Sequence, residues 1–394
     1  VKILYVDQTG QLGGGELSLL DLIRTSPFEA EVALFADGPF REALELRGVR
    51  VHLLLGGSVG GIRREAGIGS ILGAGPALLG LRSRLARLAK GFDVLYANSQ
   101  KAFLLCALAR RRGQPLIWHL RDMLTADHFS PTLRKIAVTV GNHAASVVIG
   151  NSQATADSFI QSGGHPDKIV VVYNGISSDA FDTVTEEEVA RTRRELELTG
   201  KFLVGVFGRL SPWKGQHILL EAVASLPDVH AVLIGDALFG EDAYVEMLRA
   251  RAACSDLAGR VHFLGFRRDV ATLLKCMDIV AHTSTSPEPF GRVIVEGMLA
   301  CRPVIATRAG GAMEILNDGE TGLLVGTGSV LELGDAIVRL RSDLVLAHRL
   351  ASAGRTKAVT DFSVSTMAAG ITKVITGLQS PVCRTASCSS QPKR

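Results

Sequence analysis

Apolar residues in this chain fall into short, near-continuous runs, separated by longer stretches in which they return every three or four positions. The runs fit strands buried on both faces of a parallel sheet, and the longer stretches fit the helices that cover it. In the first half this pattern predicts strands at 2–6, 31–36, 50–55, 93–97, 115–119, 146–150 and 169–172. A turn at Asn174-Gly175 follows, then an acidic stretch from Thr185 to Glu197 that reads as an exposed helix. A new run opens at 202–206, with further strands at 230–234, 261–264, 278–282, 303–306 and 323–325. Gly-rich 56–75 breaks the rhythm and reads as a mobile loop. Such alternation defines an α/β protein with two Rossmann-like parallel-sheet domains, expected to face a cleft. The expected boundaries are 1–178 for the first domain, 179–200 for a linker with its exposed helix, and 201–360 for the second. The tail 379–394, rich in Ser, Pro and charge, is expected to be disordered.

Composition narrows the class. An apolar content of 47% with 21% charged residues describes a soluble globular chain, and no uninterrupted apolar run reaches membrane-spanning length. Val1-Lys2-Ile3-Leu4-Tyr5-Val6 reads as a first strand and not as a signal peptide, and Val1 in place of Met fits trimming or a non-standard start codon. The six cysteines are scattered without a ligand cluster, and read as buried free thiols of a reducing cytosol. The net charge of +4 is uneven: residues 1–180 carry 19 Lys and Arg against 15 Asp and Glu, while 181–394 balance at 24 and 24. Within 60–112, ten basic residues face only Glu65 and Asp93, which implies an anionic partner for the first half. Pro76 to Phe92 places Leu78, Leu81, Leu85 and Leu88 near one helical face, with Arg82, Arg84, Arg87 and Lys90 around it. Two readings stand: a helix packed on the sheet with a solvated basic rim, or docking to an anionic membrane surface or acceptor. Nucleic acid is excluded as a partner because no aromatic interleaving or binding motif accompanies the charge.

Candidate chemistry concentrates in the second half. Glu288 lies in the loop after the strand 278–282, and Gly291 opens a helix from Arg292 to Ala300 that carries Glu296. A helix N-terminus at the carboxyl end of a parallel strand offers free N–H groups to phosphate. Two carboxylates beside it suit the hydroxyls of a sugar and a ribose flanking a diphosphate. Earlier, Gly208-Arg209-Leu210-Ser211-Pro212-Trp213-Lys214-Gly215 joins the strand 202–206 to a helix, and Arg209 and Lys214 offer fixed cations to a diphosphate. This is not a P-loop, and no D-x-D pair or metal cluster accompanies it. Gly13-Gly14-Gly15-Glu16, after the first strand, is either a close approach of backbone to ligand or an ordinary turn.

Pro287-Glu288-Pro289-Phe290-Gly291 through Glu296-Gly297-Met298, together with the Arg209/Lys214 block, resembles the signatures of glycosyltransferase family 4, retaining enzymes of the GT-B fold. The resemblance covers about residues 1–378 and is stronger in the second half. It implies a nucleotide-diphosphate sugar as co-substrate, with no metal and no other cofactor, and transfer to a glycan or lipid-linked acceptor. Synthesis of a bacterial polysaccharide, glycolipid or envelope glycan would be the setting, at a cytoplasmic site or on the inner face of a membrane. By the same resemblance, Arg209, Lys214, Glu288 and His119 are the candidate catalytic residues. Gly14, Gly15, Phe266, Phe290, Gly291, Arg292 and Glu296 would line the donor site with them. The stretch 361–378 would cross back onto the first domain. On its residues alone, His119 is equally a structural histidine at a strand end, and Arg121-Asp122 a local ion pair. Two alternatives to a transferase remain: a GT-B nucleotide-sugar epimerase, which needs no acceptor, and a non-catalytic scaffold.

Overall fold

The computed structural model describes residues 1–55, 75–125, 129–237 and 240–379. The chain divides into two compact units, Val1–Gly175 joined by the chain from Val364, and Ile176–Ser363. The expectations for the loop 56–75, apart from Gly75, for the basic residues Arg63 and Arg64, and for the tail beyond Gln379 lie outside the described residues.

The first unit holds a seven-stranded parallel sheet of order β3-β2-β1-β4-β5-β6-β7. Its strands are β1 Lys2–Asp7, β2 Glu29–Leu34, β3 Arg50–Leu53, β4 Val94–Ala97, β5 Leu116–Leu120, β6 Val147–Gly150 and β7 Ile169–Val171. Side chains alternate between the two faces with period two, so each apolar run feeds two cores. Leu4, Val6, Leu95, Trp118 and Val148 face the helices Gly75–Ala89, Gln100–Ala109 and Pro131–Ala144, and Trp118 stacks on Phe103 with ring centroids 4.3 Å apart. Ile3, Tyr5, Tyr96, Ile117 and Ile149 face the other way, toward Leu19 and Leu22 of the helix Gly14–Thr25. Met367, Ile371 and Ile375 of the helix Val364–Gly377 complete that second core.

The second unit holds a six-stranded parallel sheet of order β10-β9-β8-β11-β12-β13. Its strands are β8 Phe202–Phe207, β9 Val229–Ile234, β10 Val261–Gly265, β11 Ile279–His282, β12 Val304–Thr307 and β13 Leu323–Val325. The acidic stretch forms the helix Glu186–Glu195, held by a Thr185–Glu188 capping box. Its first turn is exposed, but Val189 and Thr192 are buried and Arg193 donates to Cys276 O (2.8 Å) and Asp278 Oδ2 (2.9 Å). This segment is therefore a docked helix of the second unit and not a free linker. One cysteine expectation also needs correction. Cys106 and Cys276 are buried, but Cys254 and Cys301 are exposed, because both sit in turns that follow helices.

No helix among the described residues is long and apolar enough to cross a membrane.

Candidate active site

In each sheet the strand order reverses once, between β1 and β4 and between β8 and β11. Loops leaving the carboxyl ends of strands at such a switch diverge, and the space between them is where open α/β sheets bind ligands. In the second unit those loops are Gly208–Gly215, after β8, and Thr283–Gly291, after β11.

The two loops are tied backbone to backbone. Thr285 N donates to Trp213 O (2.7 Å), and Thr283 Oγ1 donates to Lys214 O (2.9 Å). Gly215 has φ +69, and a Cβ there would stand 2.0 Å from Thr283 O, so only glycine permits this approach. The approach brings Lys214 Nζ into an ion pair with Glu288 Oε1. Nζ also lies 4.4 Å from the centroid of the Trp213 ring, and the Arg209 guanidinium lies 5.9 Å from the same ring. One indole thus braces both cations, and Arg209 Nε is 3.3 Å from Glu241 Oε2.

Glu288 is fixed as firmly as its partner. Its backbone forms a parallel bridge with Gly310, whose φ of +58 and bare Cα allow the contact. Its second carboxylate oxygen pairs with His282 Nε2 and accepts from Ser284 Oγ (3.2 Å). His282 ends β11, is buried, and has its Nδ1 3.4 Å from Thr307 Oγ1 at the end of β12. Burial pushes the Glu288 carboxyl up, but the Lys214 charge and the His282 contact outweigh it and hold it well below the usual carboxylate range. Glu288 is accordingly an anion, suited to accept hydrogen bonds and not to deliver a proton.

The helix Arg292–Leu299 begins at Gly291, as expected. Arg292 Nε lies 3.2 Å from Glu296 Oε1, while Arg292 Nη1 is buried without a hydrogen-bond partner among the described residues. The Phe290 ring is 3% exposed and packs edge-on against Phe362, centroids 5.7 Å apart. The ring is a packing element, so a part for Phe290 in the donor site falls to its backbone, beside Gly291 at the start of the helix. Phe266 is the opposite case, 72% exposed just past the carboxyl end of β10.

In the first unit, Gly14 and Gly15 form the exposed and half-buried first turn of the helix Gly14–Thr25, and Glu16 folds back to accept from Gly13 N (3.0 Å). His119 follows Ile117 by two positions in β5, so it points to the face of Tyr5 and Tyr96. It has no exposed surface; its Nδ1 pairs with Tyr96 Oη, and its Nε2 has no partner among the described residues. Burial, reinforced by the Arg121 charge, lowers its pKa well below the ordinary value, so the ring is neutral. Arg121 is a junction of the unit. It donates to Asn98 Oδ1 (2.8 Å), Ser18 Oγ (3.0 Å) and Asn174 Oδ1 (2.5 Å), joining the ends of β4 and β7 to the first helix.

The structure therefore brings Lys214, Glu288 and, through Trp213, Arg209 together in one loop pair. His282, Ser284 and the bracing role of Trp213 were not legible in the sequence. His282 closes an apolar run and reads as strand, and its only signal is a polar side chain at the carboxyl end of a parallel strand. Among the described residues no cluster of His, Cys, Asp or Glu could hold a metal ion.

Two family descriptions match the chain, "Glycosyl transferase 4-like domain" over residues 19–175 and "Glycosyl transferases group 1" over 189–357. Among solved structures, Anabaena HepE in complex with UDP-glucose is 40% identical, with a TM-score of 0.86 over 95% of this chain and 99% of that one. The same protein in complex with UDP and glucose gives a TM-score of 0.85 at the same identity and coverage. The lipopolysaccharide core biosynthesis glycosyltransferase LpsE of Rhizobium meliloti is 36% identical over 182 residues, 46% of this chain and 52% of that protein. A D-inositol 3-phosphate glycosyltransferase of Mycobacterium is 31% identical over 247 residues, 59% of this chain and 55% of that protein. The chain spans about half the length of these two curated relatives. Two parallel-sheet units with a paired Lys/Glu site at a switch point define a GT-B type α/β protein. The chain belongs to the glycosyltransferase 4-like, group 1 family.

Proposed function

We propose that this chain is a retaining glycosyltransferase that moves a hexose from a uridine diphosphate sugar to an acceptor hydroxyl on a glycan or lipid-linked acceptor. The observation that carries this reading is the near full-length likeness to HepE, 40% identical and solved with UDP-glucose and with UDP and glucose. The site supports it chemically. Arg209 and Lys214 supply cations where negative charge grows on the departing diphosphate, and stabilising that charge is where a preorganised site gains most. The Arg292–Leu299 helix N-terminus and the unsatisfied Arg292 Nη1 offer further donors to the donor phosphates or ribose. Glu288, held ionised, accepts from the sugar hydroxyls; Glu296 accepts from the ribose, and exposed Phe266 gives the uracil a face to stack on. In the first unit, His119 Nε2 is a buried neutral group with hydrogen-bonding capacity left over, which fits a role in positioning the loop that follows β5.

Transfer with retention proceeds by attack on the face the leaving group vacates. The bond from the anomeric carbon to the diphosphate breaks with its electron pair going to UDP, and the acceptor hydroxyl oxygen bonds to that carbon. Its proton passes to a phosphate oxygen of the leaving group. The basic helix Gly75–Ala89 fits an anionic acceptor, and an acceptor carried on a lipid would set the action at the cytoplasmic face of a membrane.

Isothermal titration with UDP and UDP-glucose, followed by a donor-hydrolysis assay in excess EDTA, tests the reading. UDP binding and metal-independent release of glucose are expected. No binding of any nucleoside diphosphate would overturn it.

A further inference from the structure

We propose that Gln216 and Tyr244 are positioning residues for Arg209, an inference that rests on the transferase reading for the task of that arginine and deepens it. Arg209 serves a departing diphosphate only if its guanidinium is in place before the charge develops, so whatever fixes its backbone enters the rate. Its neighbours in the chain are tied to the end of β9 and the residues just after it. Gly208 N donates to Ile234 O (2.9 Å) and Leu210 N to Asp236 O (3.0 Å). The carbonyl of Arg209 belongs to the same peptide group as Leu210 N, and it accepts from Gln216 Nε2 (2.9 Å). That peptide is therefore held at both of its polar atoms, once by backbone and once by a buried amide side chain.

Gln216 opens the helix Gln216–Ala224 and has no exposed surface. Turned end for end, its amide would set an oxygen against Arg209 O, and the partners of Tyr244 work against that turn. Arg209 O only accepts, so Nε2 faces it and Oε1 faces Tyr244 Oη, 3.2 Å away. Oε1 also only accepts, so the phenol proton goes to it. Oη then receives His217 N (3.2 Å) and His217 Nδ1 (2.9 Å) on its lone pairs, which assigns His217 the Nδ1–H tautomer. Each proton from His217 through Tyr244 and Gln216 to Arg209 thus has one place. Burial pushes the Tyr244 phenol up to about 12, so Oη keeps the proton it gives to Gln216.

Tyr244 belongs to the helix Asp242–Ala252, whose N-cap residue is Glu241, the carboxylate 3.3 Å from Arg209 Nε. One helix thus holds Arg209 twice, its guanidinium through Glu241 and its backbone carbonyl through Tyr244 and Gln216. An arriving diphosphate competes with Glu241 for the guanidinium and leaves the carbonyl alone. The backbone hold is therefore the one that lasts into the loaded site, where a supporting shell matters most.

The test places Tyr244→Phe, which removes a single oxygen, and Gln216→Met, which keeps the side-chain length, in the full chain with Arg209 intact and again in Arg209→Ala. With Arg209 present, each should lower kcat for glucose release from UDP-glucose about five- to tenfold, the worth of one neutral hydrogen bond. KM should move by no more than about twofold, because the charge that Arg209 meets grows as the donor is cleaved. In Arg209→Ala neither substitution should matter by more than about twofold, in kcat or in calorimetric UDP affinity, since both act through the missing side chain. An equal fall in the two backgrounds would reduce Gln216 and Tyr244 to supports of the fold and overturn the proposal. Hydrogen exchange of the unliganded chain gives a reading that needs no activity: segment 208–215 should exchange faster in both variants while β9 keeps its rate. Faster exchange there in a chain that neither binds UDP nor releases glucose would uphold the positioning and overturn the transferase reading. Unchanged exchange and unchanged kcat, with UDP binding intact, would overturn the positioning and leave that reading standing.

Discussion

Lys214 and Glu288 stand 74 residues apart in the chain and are ion-paired through Nζ and Oε1, with side chains 16% and 14% exposed. Each anchor comes from a different loop of the same switch point, so the pair exists only because β8 and β11 are neighbours. Arg209 is matched in the same way by Glu241. The two cations offered to a diphosphate are thus neutralised in advance, and an arriving phosphate exchanges partners with carboxylates instead of meeting bare charge.

That exchange makes a specific prediction for Lys214. Lys214→Met should weaken UDP binding by roughly 1.5–3 kcal/mol, the worth of a charge-assisted hydrogen bond. It should also lower stability, because Glu288 is left half-paired in a site of low exposure. Adding Glu288→Gln should restore the stability and leave the UDP affinity low. Calorimetry and thermal melts of the two variants separate these effects; unchanged UDP affinity in Lys214→Met would remove the residue from the phosphate site.

His282 should act as a positioning residue for Glu288. Its Nε2 holds the carboxylate oxygen that Lys214 does not. In His282→Ala that oxygen keeps only Ser284, and the carboxylate is free to swing. We expect kcat/KM for UDP-glucose to fall by about 10- to 100-fold, equivalent to roughly 1.5–3 kcal/mol, with affinity for UDP, which lacks the sugar, nearly unchanged. His282→Asn should recover part of the loss. An equal fall in UDP affinity would mean that the residue serves only the fold of the loop.

The contact between Gly215 and Thr283 O should be as sensitive as either charged residue. Gly215 has φ +69, and an added Cβ would stand 2.0 Å from Thr283 O, so Gly215→Ala must displace one loop from the other. Strain of this kind costs about 1–3 kcal/mol. The expected result is a lower melting temperature and a loss of UDP binding comparable with Lys214→Met, since Lys214 is the preceding residue. A variant with wild-type UDP affinity would show that the loops are not rigidly coupled.

How much of this was legible in the sequence follows from what each feature depends on. The strands were, because a parallel sheet covered on both faces demands apolar runs such as Ile3-Leu4-Tyr5-Val6 and Ile279-Val280-Ala281 whatever lies around them. Arg209, Lys214 and Glu288 stood out because charge in a loop after such a run has no packing role, and Glu296 because its spacing from Glu288 matches the family signature. The pairing of Lys214 with Glu288 was not legible, since it depends on strand order and not on local pattern. The packing of Phe290 on Phe362 escaped for the same reason. His119 could be placed at a strand end, but its burial depends on which helices cover the face it shares with Tyr96, and that is settled by tertiary contacts.

Glu16 and Glu288 should give the two units opposite responses to pH. Burial, and then the negative charge of Asp7, raise the Glu16 carboxyl from its ordinary value of 4.5 to about 7; its bond from Gly13 N and the Arg121 charge pull the other way without prevailing. Between those values the folded state holds a proton that the unfolded state has lost, so stability falls as pH rises through 7. For Glu288, held low by Lys214 and His282 despite burial, the sign reverses: its contribution is complete above the ordinary carboxylate range and is lost as pH drops below it. His119, whose pKa is lowered by burial and by Arg121, opposes Glu16 only below its ordinary value of 6.5. Glu16 therefore acts from there to about pH 8 in the same sense as its neighbour Asp7, whose carboxyl burial also raises. The chain has two tryptophans, Trp118 in the first unit and Trp213 in the second, so Trp213→Phe leaves a fluorescence reporter for the first unit alone. In that background the urea midpoint should fall as pH rises from 6.5 to about 8. Glu16→Gln, which retains an oxygen to accept from Gly13 N, should flatten the fall and raise the midpoint at the alkaline end. An identical slope with and without the substitution would show that Glu16 does not titrate in this window.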